Sequence, residues 1–251
     1  MTTAAVSTPG AVLAIGAHPD DIEFHCGATL AKWAESGASI HFVICTDGAK
    51  GTWDTQADPT GLVATRQSEQ RKAASLIHAK ASVDFLDQVD GELVNSVALR
   101  GRLARLIRKY KPDVVLGHDP WRRWRMHPDH RAAGYLTVDA VVAARDPHYH
   151  REHIADGLTH HRPNALLLFE CEEPNHGESI TAAHLDAKVN ALLAHQSQHE
   201  TTMTIDGDDD GTQAGAFKAR ILAEAHDHAT RFDQTSPDGG AEVFRWMDPA
   251  S

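Results

Sequence analysis

The stretch AHPDDIEFHCGATLAKW (residues 17–33) has two histidines, two adjacent aspartates and a glutamate directly after the apolar run AVLAIG. His18 and Asp21 are three residues apart at a predicted strand-to-helix turn, where two side chains can converge on one ion. A second stretch, WRRWRMHPDH (residues 121–130), contains His130 as a third candidate ligand. Two histidines, one carboxylate and an open position for water are typical of catalytic zinc sites. The sequence therefore predicts one Zn²⁺ per chain, held by His18, Asp21 and His130.

Acid–base groups accompany these candidate ligands. Asp20 is directly beside Asp21, and a carboxylate in that position can take a proton from the attacking water. His127 is expected to face the reacting carbonyl from the opposite side, stabilise the oxyanion and protonate the leaving amine. Asp129 is predicted to accept a hydrogen bond from His127 and hold it as imidazolium. Asp20, His127 and Asp129 are thus the predicted catalytic residues.

Each motif also has an interpretation without catalysis. HPDD alone could be a turn in which an aspartate caps a helix, and HPDH alone could be a polar loop. Both motifs together, each after a predicted strand, favour a metal centre. Glu23, His25 and His118 remain open as further members of the site.

Strands and helices alternate along the chain. Short apolar runs predict strands at residues 11–17, 39–46, 81–86, 113–118 and 164–170. Helical spacing predicts helices at residues 21–35, 63–78, 97–110, 130–144, 181–195 and 215–226. The alternation predicts an α/β fold, with a Rossmann-like, mostly parallel sheet and helices on both faces. In a Rossmann-like order the first and fourth strands are neighbours, so the two motifs meet in one crevice at the carboxyl ends of the strands.

Composition restricts the classes of partner and compartment. The formal net charge of −11 argues against nucleic acid, because phosphate binding needs a basic surface. No apolar stretch approaches the roughly 18 residues of a membrane span, and MTTAAVSTPG lacks the basic residues that begin a signal peptide. Three widely spaced cysteines without a CxxC pair predict buried, inert thiols and a cytoplasmic location; they are Cys26, Cys45 and Cys171.

Five segments, in this order, resemble the PIG-L/LmbE-like family of zinc-dependent de-N-acetylases: AHPDDIEFHCGATLAKW, TDGAKGTW, RQSEQRKAA, DGEL and HDPWRRWRMHPDHRAAG. The resemblance covers about residues 11–200. It implies a Rossmann-like fold and hydrolysis of the N-acetyl amide of glucosamine-containing conjugates. By motif, it implies the zinc ligands and catalytic residues already named, with Asp20 as general base and His127, supported by Asp129, as electrophile or general acid.

The same resemblance suggests substrate-binding residues. Arg66 in RQSEQ and Asp90 in DGEL fall where members of the family bind sugar hydroxyls, although each could equally form a surface salt bridge. Trp121 and Trp124 flank a basic run, so a sugar ring could stack on an indole while an arginine meets an anionic group. Core packing or an interface is the alternative for both tryptophans.

These observations predict one domain over residues 1–251, in which residues 200–251 shape the substrate mouth. The predicted reaction is zinc-dependent removal of the N-acetyl group from a small N-acetylglucosamine-type sugar or conjugate, by a chain that could form a homo-oligomer. One alternative is an amidase that cleaves a larger acyl group from a mycothiol-like conjugate or antibiotic intermediate; HPDDIE in place of the mycothiol-type HPDDE lowers the weight of mycothiol chemistry. The other alternative is a non-catalytic metal-binding protein. A dinucleotide enzyme is excluded, because no GxGxxG follows the first strand.

Overall fold

The structure is a computed structural model that describes residues 8–232 and 239–251. Within these residues seven strands form one sheet, in the order β3-β2-β1-β4-β5-β7-β6. The strands are β1 (Ala11–Gly16), β2 (Ser39–Thr46), β3 (Ser82–Gln88), β4 (Val114–His118), β5 (Ala165–Phe169), β6 (His176–Ile180) and β7 (Gly240–Met247). β1 to β5 pair in parallel, whereas β7 is antiparallel to both β5 and β6.

Helices cover both faces of the sheet. They are α1 (Asp21–Glu35), α2 (Pro59–Ile77), α3 (Val97–Tyr110), α4 (Pro128–Arg145), α5 (Arg151–Ala155), α6 (Ala182–Leu193) and α7 (Thr212–Arg231). Successive residues of β1 point to opposite faces: Val12 packs into a core with α1, α2 and α6, and Leu13 packs into a core with α3 and α4. This double burial explains why the central parallel strands β1, β4 and β5 are almost entirely apolar.

The order of the strands brings the two sequence motifs together. β1 lies between β2 and β4, with Val12 opposite both Ile40 and Val114. The carboxyl ends of β1 and β4 therefore meet at the same edge of the sheet, as predicted, and the turns that follow them form one crevice.

Two strands were not predicted from the sequence. β6 and β7 bury charged side chains, and these interrupt the apolar pattern that marks the other strands. Lys32 Nζ donates to Glu178 Oε2 at 2.7 Å, and Lys188 Nζ donates to Glu242 Oε1 at 2.7 Å. Because both partners of these ion pairs are distant in sequence, nothing local in HGESI or GAEVFRWM indicates that the carboxylates are compensated.

The structure also bears on the predictions about the three cysteines and about membrane spans. Cys26 and Cys45 are buried, whereas Cys171 is partly exposed, and none of the three forms a disulfide within the described residues. In the part of the chain that the structure describes, no helix is long and apolar enough to cross a membrane. Most of MTTAAVSTPG, residues 1–7, and residues 233–238 of the predicted mouth segment lie outside the described residues.

A glycine sets the distance between α4 and the end of β4. A Cβ atom added at Gly134 would lie 2.7 Å from the carbonyl oxygen of His118 and 2.9 Å from the nitrogen of Pro120. We expect Gly134→Ala to lower the free energy of unfolding by about 1–3 kcal/mol, because backbone atoms cannot yield to the methyl group. Gly215→Ala in α7 is the matched control: open space surrounds Gly215, so the methyl group should stabilise the helix by about 0.5–1 kcal/mol. Urea unfolding of both variants tests the pair, and equal stability changes would contradict it.

Candidate metal centre and active site

The three predicted metal ligands converge at the carboxyl edge of the sheet. His18 lies in the turn after β1, Asp21 begins α1, and His130 lies in the first turn of α4. His130 Nε2 is 3.2 Å from His18 Nδ1 and 3.3 Å from Asp21 Oδ1, and His18 Nδ1 is 3.4 Å from Asp21 Oδ2. The donor atoms of two residues from the first motif and one from the second therefore lie close enough together to bind one ion.

These spacings fit one small divalent ion. Zinc binds histidine nitrogen and carboxylate oxygen at about 2.0–2.2 Å, so neighbouring donor atoms of a tetrahedral site are about 3.3 Å apart. His130 Nε2 matches that edge in its separations from His18 Nδ1 and Asp21 Oδ1, 3.2 and 3.3 Å, and the other oxygen of Asp21 is 3.4 Å from His18 Nδ1. Three such ligands leave one position of a tetrahedron open, as in catalytic rather than structural sites.

Asp129 holds His18 in place. His18 Nε2, the nitrogen that points away from the proposed ion, lies 3.1 Å from Asp129 Oδ2 and 3.3 Å from Asp90 Oδ1. The backbone nitrogens of Gly91 and Leu93 also donate to the Asp129 carboxylate, at 2.6 and 3.1 Å. A carboxylate on the outward nitrogen fixes the tautomer and the orientation of a metal-binding imidazole.

This placement corrects the predicted pairing of Asp129 with His127. The hydrogen bond between the two residues runs from the Asp129 backbone nitrogen to His127 Nδ1, at 3.3 Å. His127 is the N-cap of α4, so its ring accepts a free helix N–H while the Asp129 side chain turns toward His18. Since Nδ1 is an acceptor, neutral His127 carries its proton on Nε2, and burial, aided by the nearby His18, lowers the pKa of the ring.

Asp20 is held in an uncommon backbone conformation with an unpaired oxygen. Its φ is 98°, in the left-handed region, and its backbone nitrogen donates to Gln70 Oε1 at 3.1 Å. Arg66 Nη2 donates to the Pro19 carbonyl at 2.8 Å and lies 3.6 Å from Asp20 Oδ2. That buried oxygen has no hydrogen-bond partner among the described residues. Burial raises the pKa of the Asp20 carboxyl to about 6, against the positive charge of Arg66.

Two of the three predicted substrate-binding residues line the pocket above this centre, which has a volume of about 580 Å³. Arg66 lines it but is only 3% exposed, and its two terminal nitrogens already donate to the carbonyls of Gly48 and Pro19. Asp90 lines it as well. Trp121 lies outside the pocket, with its ring edge-on to Tyr135 at 6.3 Å.

The pocket is also lined by residues that were not predicted from the sequence. Trp53, from the loop after β2, is 68% exposed and lines it. Its position after the carboxyl end of a strand was the available signal. Thr201 and Thr202 line it too, from a single π-helical turn after α6 (His199–Met203). That turn brings the start of the 200–251 segment to the pocket. The later elements of the segment, α7 and β7, do not line the pocket.

Of the residues that the sequence left open, His118 contacts a proposed ligand directly, whereas Glu23 and His25 contact Gln70 and Glu170. Glu23 is fully buried and accepts from Gln70 Nε2 at 2.5 Å. His118 Nε2 lies 3.2 Å from Asp21 Oδ2, and His25 Nε2 lies 3.3 Å from Glu170 Oε1. Glu170 was missed entirely, although it directly follows the fifth strand.

Comparison with known proteins identifies a family model and named deacetylases among the relatives. The family model described as GlcNAc-PI de-N-acetylase, PIG-L, matches residues 13–141. Diacetylchitobiose deacetylase of Thermococcus kodakarensis is 34% identical over 187 residues, which are 74% of this chain and 69% of that protein. The 1D-myo-inositol 2-acetamido-2-deoxy-alpha-D-glucopyranoside deacetylase of Actinosynnema mirum is 26% identical over 233 residues, covering 77% of this chain and 82% of the relative.

A solved structure extends the likeness to nearly the whole chain. N,N'-diacetylchitobiose deacetylase from Pyrococcus horikoshii superposes with a TM-score of 0.83 at 27% sequence identity. The superposition covers 96% of this chain and 85% of that protein. The predicted α/β fold is therefore confirmed by both the sheet topology and this likeness.

Proposed function

The chain belongs to the GlcNAc-PI de-N-acetylase (PIG-L) family, and we propose that it hydrolyses the N-acetyl amide of an N-acetylglucosamine-type sugar or conjugate with one bound Zn²⁺. The observation that carries this proposal is the meeting, in one crevice, of a three-ligand metal site with the unpaired carboxylate oxygen of Asp20 and the ring of His127. Deacetylases of N-acetylated sugars among the relatives support the choice of substrate class.

The metal would be held by His18, Asp21 and His130. When bound there, zinc supplies Lewis acidity to an amide carbonyl and to water. Its positive charge also opposes the rise that burial causes in the pKa of Asp20, and so favours the carboxylate form that acts as a base.

Asp20 is assigned both proton transfers. Its free oxygen accepts a proton from the water that attacks the acetyl carbon, and the same carboxyl then gives that proton to the amine as the C–N bond breaks. The motif had suggested His127 for the second transfer. A neutral imidazole with its only proton on Nε2 is a poor acid, so the hydrogen bond at Nδ1 favours Asp20 for this step.

His127 stabilises the developing charge. With Nδ1 occupied by the helix N–H, its Nε2–H can donate to the oxygen of the acetyl group as that oxygen gains negative charge. A donor fixed before the reaction stabilises the transition state more than the bound substrate.

His127→Ala is therefore expected to lower kcat by about 10²–10³-fold while KM changes little. His127→Gln, which retains an N–H donor near the position of Nε2, should recover part of that loss. Steady-state kinetics on both variants, with metal content determined on the same samples, tests this. A rise in KM with unchanged kcat would place His127 in substrate binding instead.

The proposal is tested first on metal-stripped protein. The protein is incubated with N-acetylglucosamine, its β-linked dimer and an inositol conjugate, with and without added Zn²⁺. We expect zinc-dependent release of acetate and primary amine in equal amounts. If zinc binds and no compound reacts, the panel is extended to amides with larger acyl groups, and hydrolysis of one of these would replace the deacetylase by an amidase. If the zinc-loaded protein hydrolyses none of them either, the non-catalytic alternative stands.

The compartment is a separate part of the proposal. The three thiols are unpaired within the described residues, which supports a reducing environment, and we place the enzyme in the cytoplasm. A fluorescent fusion in the native cell tests this placement.

A further inference from the structure

Glu170 is a carboxylate on which several side chains of the metal centre converge. It directly follows β5, has a φ of 57° in the left-handed region, and its side chain is 12% exposed. Oε2 lies 3.0 Å from His118 Nδ1 and 3.5 Å from His130 Nδ1. The remaining contacts are Arg125 to both oxygens, and His25 Nε2 at 3.3 Å and Arg122 Nη1 at 3.4 Å to Oε1.

One imidazole connects Glu170 to the proposed ligand Asp21. His118 lies between them, with Nδ1 3.0 Å from Glu170 Oε2 and Nε2 3.2 Å from Asp21 Oδ2. His130 lies beside this connection: its Nε2 is 3.3 Å from Asp21 Oδ1, and its Nδ1 contacts Arg125 Nη2, which also contacts Glu170.

We propose that Glu170 is a positioning residue of the metal centre, and that His118 transmits its effect to Asp21. The proposal rests on the function proposed above, since it concerns the same ion. A carboxylate on one nitrogen of an imidazole fixes the tautomer and the orientation of the ring. Glu170 does this for His118, whose other nitrogen faces Asp21 Oδ2, as Asp129 does for His18.

The two arginines make this arrangement possible. A carboxylate that is only 12% exposed and packs against three histidines needs compensation, and Arg122 and Arg125 provide it from the loop that precedes α4. A left-handed backbone at a residue other than glycine is uncommon, and its retention at the end of β5 aims the side chain into the crevice. A carboxylate that served only as a surface ion pair would need neither feature.

The test is the affinity for metal, measured apart from catalysis. Glu170→Gln keeps the size of the side chain but removes the charge that holds the imidazole of His118. We expect its dissociation constant for Zn²⁺, from competition with a chromophoric chelator, to rise by about 10–100-fold. The visible spectrum of the Co²⁺-loaded variant should change, because His118 contacts the proposed ligand Asp21 and its shift changes the orientation of that carboxylate.

Two further variants complete the design. Glu172→Gln removes a nearby carboxylate that pairs with Arg123, and it should leave the affinity and the spectrum unchanged. His118→Asn keeps a donor near the position of Nδ1 but loses the contact with Asp21, so its affinity should also fall. If Glu170→Gln does not fold, the affinity of His118→Asn for Zn²⁺ tests the proposal in its place.

The outcomes separate the two proposals. If Glu170→Gln binds zinc within twofold of the unmodified protein and gives the same Co²⁺ spectrum, Glu170 is only structural, whatever happens to Tm, and the inference is overturned. An equal loss of affinity in Glu172→Gln overturns it too, because the effect is then one of general charge. Failure of the unmodified protein to bind any divalent ion removes the proposed function itself, before any variant is compared.

Discussion

Asp20→Asn is expected to lower kcat for N-acetyl hydrolysis by about 10³-fold while the protein still binds its metal. The amide cannot accept the proton of the attacking water, and no other carboxylate takes its place: Asp90 and Asp129 are engaged with His18. Asparagine is the appropriate replacement because it tolerates the left-handed backbone, with φ of 98°, that alanine would strain. The readout is kcat at saturating substrate, with bound zinc measured on the same sample.

The matched control for this variant is Asp87→Asn. Asp87 is also an aspartate with a positive φ, 50°, but it is exposed and contacts Gln67 rather than the site. It should retain full activity. A rate for Asp20→Asn within tenfold of the unmodified protein would show that Asp20 is not the base.

His130→Ala is expected to lower the affinity for metal and to reduce activity by at least about 10³-fold. Loss of one of three ligands removes both the site for the ion and several kcal/mol of transition-state stabilisation. The His130 side chain is only 16% exposed, yet it begins a helix at the rim of the crevice, so the fold should survive the truncation. Isothermal titration with Zn²⁺ and the acetate-release assay give the two readouts.

Thermal unfolding gives a third readout for the same variant. A ligand that binds only the folded state stabilises it by about 4 kcal/mol at 1,000 times its Kd. Added zinc should therefore raise the Tm of the unmodified protein and of His148→Ala, an exposed histidine beyond α4, but not the Tm of His130→Ala. An equal rise in all three proteins would place the ion elsewhere.

Much of this protein follows from local patterns in its sequence. The alternation of apolar runs and helical spacing predicts the parallel strands, their helices and the crevice, because strands that are buried on both faces are built mostly from apolar residues. The three proposed metal ligands and Asp20 are also local signals. They come from two short turns, and only the adjacency of β1 and β4 had to be assumed to bring them together.

Contacts between distant residues decided the remainder. The partner of Asp129 is His18, 111 residues away, and sequence proximity suggested His127 instead. Glu170 lies at the centre only because β5 pairs with β4, so that the ends of both strands reach the same edge. β6 and β7 escape the apolar pattern because their buried carboxylates are paired with lysines from helices.

Residue types and periodicity are local properties of the chain, so they were enough to predict the available chemistry and the class of fold. Contacts between distant residues were needed to show which carboxylate lies against which histidine, and which side chains have no such partner. Those assignments depend on distances of about 3 Å between residues far apart in the chain, as for Asp129 and His18. A hydrogen bond forms or fails over a few tenths of an ångström, and no pattern along a sequence specifies a separation that finely.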